Sequence, residues 1–327
     1  MEPKPLERLE FEAGALIKAH PPQWHHRNKQ TVYEIACSSG FPFEGRIAYA
    51  RWPEVKPPAE VVAQSEFRVR PGVFEYARSA GSPAVAWHVN FADPQLFFAY
   101  SSSLLAQDEL QVAEHPILGS LRDALISRGM RPATMDEERR PTPVTISGVE
   151  RRCAIDTLPN QQAGRPAGLY GNAFARATRD QVKAATTPLS PPTISNILAM
   201  AAPTPGHGAY EAEEIVYVVN AAYTGFLAAR RESEAMAPKG SRAIIHTGFW
   251  GCGAFGGNRT LMTMLQALAA DVADVDIVYW AFDEAGVRLA NDARKRYERL
   301  RESTPSVPNI LDDIVRQQFP WGVSDGN

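Results

Sequence analysis

Along the chain, apolar and polar positions switch between two patterns. Short unbroken or alternating apolar runs suit strands, and runs at helical spacing suit amphipathic helices. The first pattern predicts strands at Thr31–Cys37, Phe67–Arg70, Val73–Tyr76, Ala84–Phe91, Pro143–Gly148, Arg242–Thr247 and Ile277–Phe282. Ala84–Phe91 is apolar at most positions, as in a sheet covered on both faces, so His88 within it reads as a structural histidine. The second pattern predicts helices at Leu104–Glu114, Pro116–Arg128, Phe174–Ala185, Ile194–Met200, 211–231, the stretch after Asn258, and Gly286–Glu302. Residues 1–30 read as a polar surface segment, 46–66 as irregular because prolines dot it, and 156–172 as loop. Strands and helices interleave, and no linker separates two apolar masses. The expectation is one α/β domain with a mostly parallel or mixed sheet, to which the first 66 residues add an accessory segment.

Composition narrows the function classes. A hydrophobic fraction of 44% and a charged fraction of 22% are those of a soluble globular protein. With a net charge of −3 there is no global basic field, and the basic run in Gly286–Glu302 reads as a solvated face, so nucleic-acid binding is not expected. Cys37, Cys153 and Cys252 are far apart and odd in number, which points to a reducing, cytoplasmic setting and away from a disulfide framework or a cysteine zinc site. No metal is expected at His20, His25 and His26, which lack the pairing a metal site needs. No signal peptide is visible at the polar N-terminus, and the apolar run Ile215–Ala229 is shorter than the roughly 20 residues of a bilayer span, so no membrane partner is expected.

The strongest chemical signal is Gly248-Phe249-Trp250-Gly251-Cys252-Gly253-Ala254-Phe255-Gly256-Gly257-Asn258, set between a predicted strand and a predicted helix. Glycine lets a backbone approach a ligand closely, helix-start amides favour an anion, and Asn258 suits the N-cap. A tight surface turn explains one or two of these glycines, whereas a phosphate-holding loop explains all of them. Gly251-x-Gly253-x-x-Gly256 also fits a dinucleotide fingerprint. That motif normally opens its domain, whereas only one predicted strand follows here. Gly257-Asn258 stands where a nucleotide-hydrolysing P-loop needs Lys-Ser/Thr, which argues against NTP hydrolysis. A second constellation, Gln107-Asp108-Glu109, opens a predicted helix, where acids also simply suit the helix dipole.

Taken together, these two stretches resemble the macrodomain-type poly(ADP-ribose) glycohydrolases. The glycine-rich stretch is similar to that family's long loop, with Phe249 and Asn258 standing where Asn and Asp are usual. Val89-Asn90-Phe91-Ala92-Asp93 resembles its V-D-F-A-N strand end, Gln107-Asp108-Glu109 its Q-E-E signature, and Ile146–Arg151 its I-x-G-x-E-R strand. Phe74-Glu75 resembles its Ile-Glu pair, and Phe282 falls at its ligand-side aromatic. The resemblance runs from about Phe67 to about Glu284 and implies a macrodomain-like mixed sheet flanked by helices over 67–327, with 1–66 accessory.

It also implies an ADP-ribosyl hydrolase that needs no cofactor. In that reading Glu109 is the acid/base and Asp108 its catalytic neighbour. Asp108 or Asp93 holds the ribose hydroxyls, and Gln107 orients either carboxylate. The backbone from Gly251 through Cys252, Gly253, Ala254, Phe255 and Gly256 to Gly257, with Phe249 and Trp250 before it, cradles the diphosphate. Glu75 meets the adenine amino group and Phe282 packs beside the adenosine. Two departures stand out. Phe97-Phe98-Ala99 replaces the family's triple glycine, so the loop must follow another path. Arg152 and Cys153 replace a tyrosine segment for which Tyr170-Gly171 is a substitute. A single ADP-ribose on a protein side chain is therefore the expected substrate rather than long polymer. The competing readings are an ADP-ribose reader without turnover and a nicotinamide-dependent oxidoreductase.

Overall fold

The computed structural model describes residues 3–61, 63–76, 84–238 and 240–326. In chain order the first half runs β1 (Glu7–Glu12), α1 (Ala13–Ala19), α2 (Arg27–Ala36), β2 (Arg46–Arg51), β3 (Phe67–Arg70), β4 (Val85–Ala92), α3 (Gln107–Glu114), α4 (Ile117–Ser127) and β5 (Val144–Ile155). The second half runs α5 (Ala173–Arg176), α6 (Arg179–Ala185), β6 (Thr186–Ala201), α7 (Ala212–Met236), β7 (Ala243–Gly248), α8 (Arg259–Ala273), β8 (Asp276–Trp280), α9 (Glu284–Ser303) and α10 (Val307–Arg316). The strands form one mixed sheet in the order β1-β2-β5-β6-β4-β7-β8-β3, antiparallel from β1 to β6 and parallel from β6 to β3. Residues 1–66, expected as an accessory segment, supply β1, α1, α2 and β2, and both strands hydrogen-bond into this same sheet.

Side chains alternate across a sheet, and that alternation assigns its two faces. Leu198 and Met200 of β6, Trp87 and Val89 of β4, Ile245 of β7 and Tyr279 of β8 pack with α7, α8 and α9. Ile197 and Ala199 of β6 pack instead against Leu118, Leu121 and Leu125 of α4. On that second face the parallel strands present His88, Asn90, His246 and Trp280, with His88 and His246 stacked at a centroid separation of 4.5 Å.

Four expectations from the pattern are corrected. Thr31–Cys37 lies in and just after helix α2, because Asn28, Lys29, Val32 and Ala36 form a buried helical stripe and the His26 side chain caps the helix, accepting from the Asn28 amide. Tertiary packing overrides the β-branched propensity of a short run. Ile194–Met200 is strand rather than helix. Residues 197–199 of β6 pair with both β4 and β5, whereas the stretch with Pro188, Pro191 and Pro192 pairs with β5 alone, where a missing donor is tolerated. Val73–Tyr76 joins no ladder, and Gly72 makes an isolated bridge to Phe282. Residues read as polar or irregular supply β1 and β2 at the antiparallel end.

Candidate active site

β7 ends at Gly248 and α8 begins at Arg259, and the glycine-rich loop joins them along the mouth of a cavity of about 420 Å³. The loop is fixed from below. Trp250 is fully buried and its Nε1 donates to the Met200 carbonyl at 3.0 Å. The Phe249 ring packs edge-on against Tyr279, with the Arg259 guanidinium 4.9 Å from its centroid. Phe249 and Trp250 thus hold the loop through the core, and the cavity meets the backbone they carry. Gly251 sits at φ 73°, and a Cβ there would lie 2.5 Å from the Ala202 Cβ, so no other residue fits without a shift. The Cys252, Gly256 and Gly257 amides donate within the loop to Phe249, Gly253 and Gly251. Three of the amides expected to cradle a diphosphate therefore hold the loop's own shape. Gly251, Gly253, Ala254 and Phe255 line the cavity, and Gly256 turns away beneath residues 322–324. Burial pushes the Cys252 thiol up to about 12, so it is a packed, protonated group. As the sequence implied, Asn258 caps α8, its side chain accepting from the Leu261 amide.

Opposite the loop stands the start of α3. Gln107 pairs with the β4 backbone like a strand residue, accepting from the Phe91 amide at 2.7 Å and donating to the Val89 carbonyl at 3.0 Å. That clamp fixes the first turn of α3 at the end of β4. Asp108 accepts from the Asn90 side-chain amide at 3.1 Å, and Glu109 accepts from the Ala106 amide at 3.1 Å. Both carboxylates line the cavity and both are buried, at 7% and 4% exposure. Burial raises the pKa of each, and the negative charge of Glu109 raises Asp108 further. Two buried acids this close release their protons as a pair, the last one late. Asp93, also in the lining, accepts from the Gln95 amide.

Sequence reasoning missed two cations here. Lys29 of α2 is 1% exposed and donates to the Tyr100 carbonyl at 2.9 Å. Burial pulls its pKa down to about 8, against the opposing pull of Glu109 and Asp108. Nothing local in the sequence marks it, since its role depends on α2 packing against α3. Arg259, the first residue of α8, lines the cavity beside the glycine-rich loop. It stands directly after Asn258, so its place next to an anion loop was readable.

The stretch that replaces the triple glycine leaves the cavity open. Phe97 adopts φ 55°, the backbone region glycine favours, and its ring is fully buried beside α4. Phe98 turns outward at 57% exposure, 5.9 Å from the Arg122 guanidinium, so Ala99 is the member of this triplet that lines the cavity.

An aromatic wall completes the site. Phe282, at φ 48° and half exposed, faces Tyr170 edge-on with centroids 6.4 Å apart. Phe74 meets Phe91 edge-on at 6.2 Å, and Trp280 joins them. Glu75, expected against adenine, is exposed and outside the lining. Its neighbours Phe74 and Tyr76 belong to the lining, so the segment turns Glu75 away from the cavity. At the far end the Arg151–Glu114 ion pair (2.8 Å) closes the cavity, with the guanidinium 4.3 Å from the Tyr76 ring centroid. Among the described residues no three His, Cys, Asp or Glu side chains converge as a metal site would, and no helix is long and apolar enough to cross a membrane.

Residues 164–288 match the model of the poly(ADP-ribose) glycohydrolase catalytic domain, described as having a macro domain fold. The match takes in Tyr170, the glycine-rich loop and Phe282, while Asp108 and Glu109 lie before it. An 83-residue stretch, 25% of this chain, is 34% identical to poly(ADP-ribose) glycohydrolase 1 of Caenorhabditis elegans, and the alignment covers 10% of that protein. Among solved structures, a poly(ADP-ribose) glycohydrolase of Thermomonospora curvata bound to the inhibitor ADP-HPD is 20% identical. It aligns with 71% of this chain and 78% of its own at a TM-score of 0.44. The enzyme of Deinococcus radiodurans in complex with ADP-ribose is 14% identical over 90% of this chain and 94% of its own, also at 0.44. Over residues 164–288 the chain is similar to the poly(ADP-ribose) glycohydrolase catalytic domain.

Proposed function

We propose that the protein is a glycosidase-type ADP-ribosyl hydrolase that releases ADP-ribose from a modified protein side chain. One observation carries this reading: the buried Asp108–Glu109 pair opens on the same cavity as the glycine-rich loop. A cavity of about 420 Å³ lies within the range of roughly 300–1,000 Å³ usual for small-molecule sites. One end offers backbone and Arg259 to a diphosphate, the aromatic wall of Phe74, Phe282 and Tyr170 suits adenosine, and the acids stand where a distal ribose would arrive.

The chemistry is glycosidic. Burial raises the Glu109 pKa and so favours its protonated form, from which it gives its proton to the leaving atom as the bond to the ribose anomeric carbon breaks. The resulting carboxylate takes a proton from water as that water adds to the oxocarbenium-like carbon. Water and the ADP-ribosylated side chain become ADP-ribose and the free side chain. Asp108 and Asp93 hold ribose hydroxyls, and Lys29 offsets the charge that Glu109 gains. Three free cysteines support a reducing, cytoplasmic setting. The net charge of −3 supports a protein rather than a nucleic-acid partner.

The test is a panel of substrates with ADP-ribose linked through arginine, serine, glutamate or polymer. Release that disappears in Glu109→Gln supports the hydrolase, and the linkage released fastest identifies the substrate. Tight ADP-ribose binding with no release from any linkage sinks it and leaves a reader. A preference for NAD over ADP-ribose would point to the oxidoreductase.

A further inference from the structure

Residues 319–326 run from the core across the glycine-rich loop. Phe319 is buried, and Trp321 stacks on Tyr210 with centroids 4.1 Å apart and donates from Nε1 to Glu214 at 3.2 Å. To that point the segment is anchored by packing. Beyond it the contacts change character. The Gly322 amide donates to the Gly256 carbonyl at 2.8 Å, and the Asp325 amide to the Gly253 carbonyl at 3.3 Å. From the segment that carries Tyr170, Asn172 Nδ2 donates to the Gly326 carbonyl at 2.7 Å. Val323, the large apolar side chain of this crossing, is 91% exposed, so burial contributes little to holding it down.

The crossing places a carboxylate in the cavity. Asp325 belongs to the lining, and its Oδ2 lies 3.1 Å from where a Cβ on Gly253 would stand. Gly253 is the middle of the loop that the proposed function assigns to the diphosphate. An aspartate carboxylate and a phosphate oxygen are both anions, and they seek the same donors and repel one another. They cannot share the loop.

We propose that residues 322–326 form a hinged strap whose Asp325 carboxylate occupies the diphosphate end of the site, so that ADP-ribose binds by displacing it. This rests on the hydrolase reading of the site and adds a competing group within the chain itself. The hinge is the Trp321–Tyr210 stack, which stays packed while the hydrogen bonds beyond it exchange. The observed affinity is then the intrinsic affinity reduced by the fraction of molecules with the strap open.

The test is the dissociation constant for ADP-ribose, measured by titration calorimetry on the full chain and on Asp325→Asn, Asp325→Ala and Asn172→Ala. The carboxylate variants are expected to bind on the order of 10-fold tighter, and Asn172→Ala, which frees the tip, to bind tighter as well. Hydrogen exchange of residues 322–326 is expected to speed up when ADP-ribose is added. Unchanged or weaker binding in the Asp325 variants, or slower exchange in the strap, overturns the proposal and leaves the reading of the site in place. If none of the four proteins binds ADP-ribose, both fail. Circular dichroism matching the parent chain separates a true change in affinity from misfolding.

Discussion

The Asn90 side-chain amide donates to the Asp108 carboxylate at 3.1 Å, joining the end of β4 to the first turn of α3. This bond opposes the burial and the Glu109 charge that raise the Asp108 pKa. Asn90→Ala should therefore raise it further. The catalytic proton is lost as pH rises through the folded pKa of the pair, so the alkaline limb of kcat/KM should move to higher pH by on the order of half to one unit. The same sign applies to stability. Acids with a raised folded pKa contribute stability fully present below the ordinary carboxylate value of about 4, and it is lost as pH rises through the raised value. Melting temperatures from pH 4 to 9 should fall less steeply in Asp108→Asn than in the parent chain. An alkaline limb that stays in place in Asn90→Ala would show that Asp108 does not share the catalytic proton.

Glu109→Gln keeps an oxygen to accept from the Ala106 amide and loses the transferable proton. Turnover should drop by roughly 10² to 10⁴, the usual contribution of a positioned acid. Affinity for ADP-ribose should stay within a few-fold, measured side by side with rate. An equal loss in both would make Glu109 a binding group.

Lys29→Met retains the length of the side chain and removes its charge. The buried Tyr100 carbonyl then loses its donor, a cost of about 1–3 kcal/mol readable as a lower denaturant midpoint. The Asp108–Glu109 pair also loses the cation that favours its ionised form, so the alkaline limb should shift upward. A stability loss with an unmoved pH profile would leave Lys29 a purely structural brace of the 97–101 turn.

Phe97 combines a buried ring with a left-handed backbone. Truncation to Ala should cost about 3–5 kcal/mol. Phe97→Gly loses the same ring but escapes the strain of about 1–2 kcal/mol that a Cβ carries in that region. Glycine should thus be at least as stable as alanine here, reversing the ordinary order, in which it is worse by about 0.5–1 kcal/mol. Urea unfolding of the two variants decides it, and a weaker Phe97→Gly would show that the backbone there is unstrained.

Residues that act through their neighbours in the chain were legible without coordinates. The glycine-rich loop announced itself because a tight approach needs glycine at positions such as Gly251, and Asn258 because capping is local. Ala84–Phe91 read as a buried strand because both its faces are covered, and Gln107-Asp108-Glu109 read as a helix start because acids suit that position. Long-range packing decided the rest. Thr31–Cys37 became helical because Asn28 and Lys29 found partners at Phe174, Ala177 and Tyr100, far along the chain. Ile194–Met200 became a strand because β4 and β5 offered it two ladders. Glu75 lies outside the cavity and Phe74 and Tyr76 line it, a choice set by how that segment packs against the sheet. Lys29 beside the acids and Asp325 over Gly253 depend on segments distant in sequence meeting in space. The sequence by itself determined the loop, the acid pair and their order along the chain, because each follows from local backbone chemistry. Only the tertiary structure decided which charges face them, because that depends on how helices and the strap pack across a sheet.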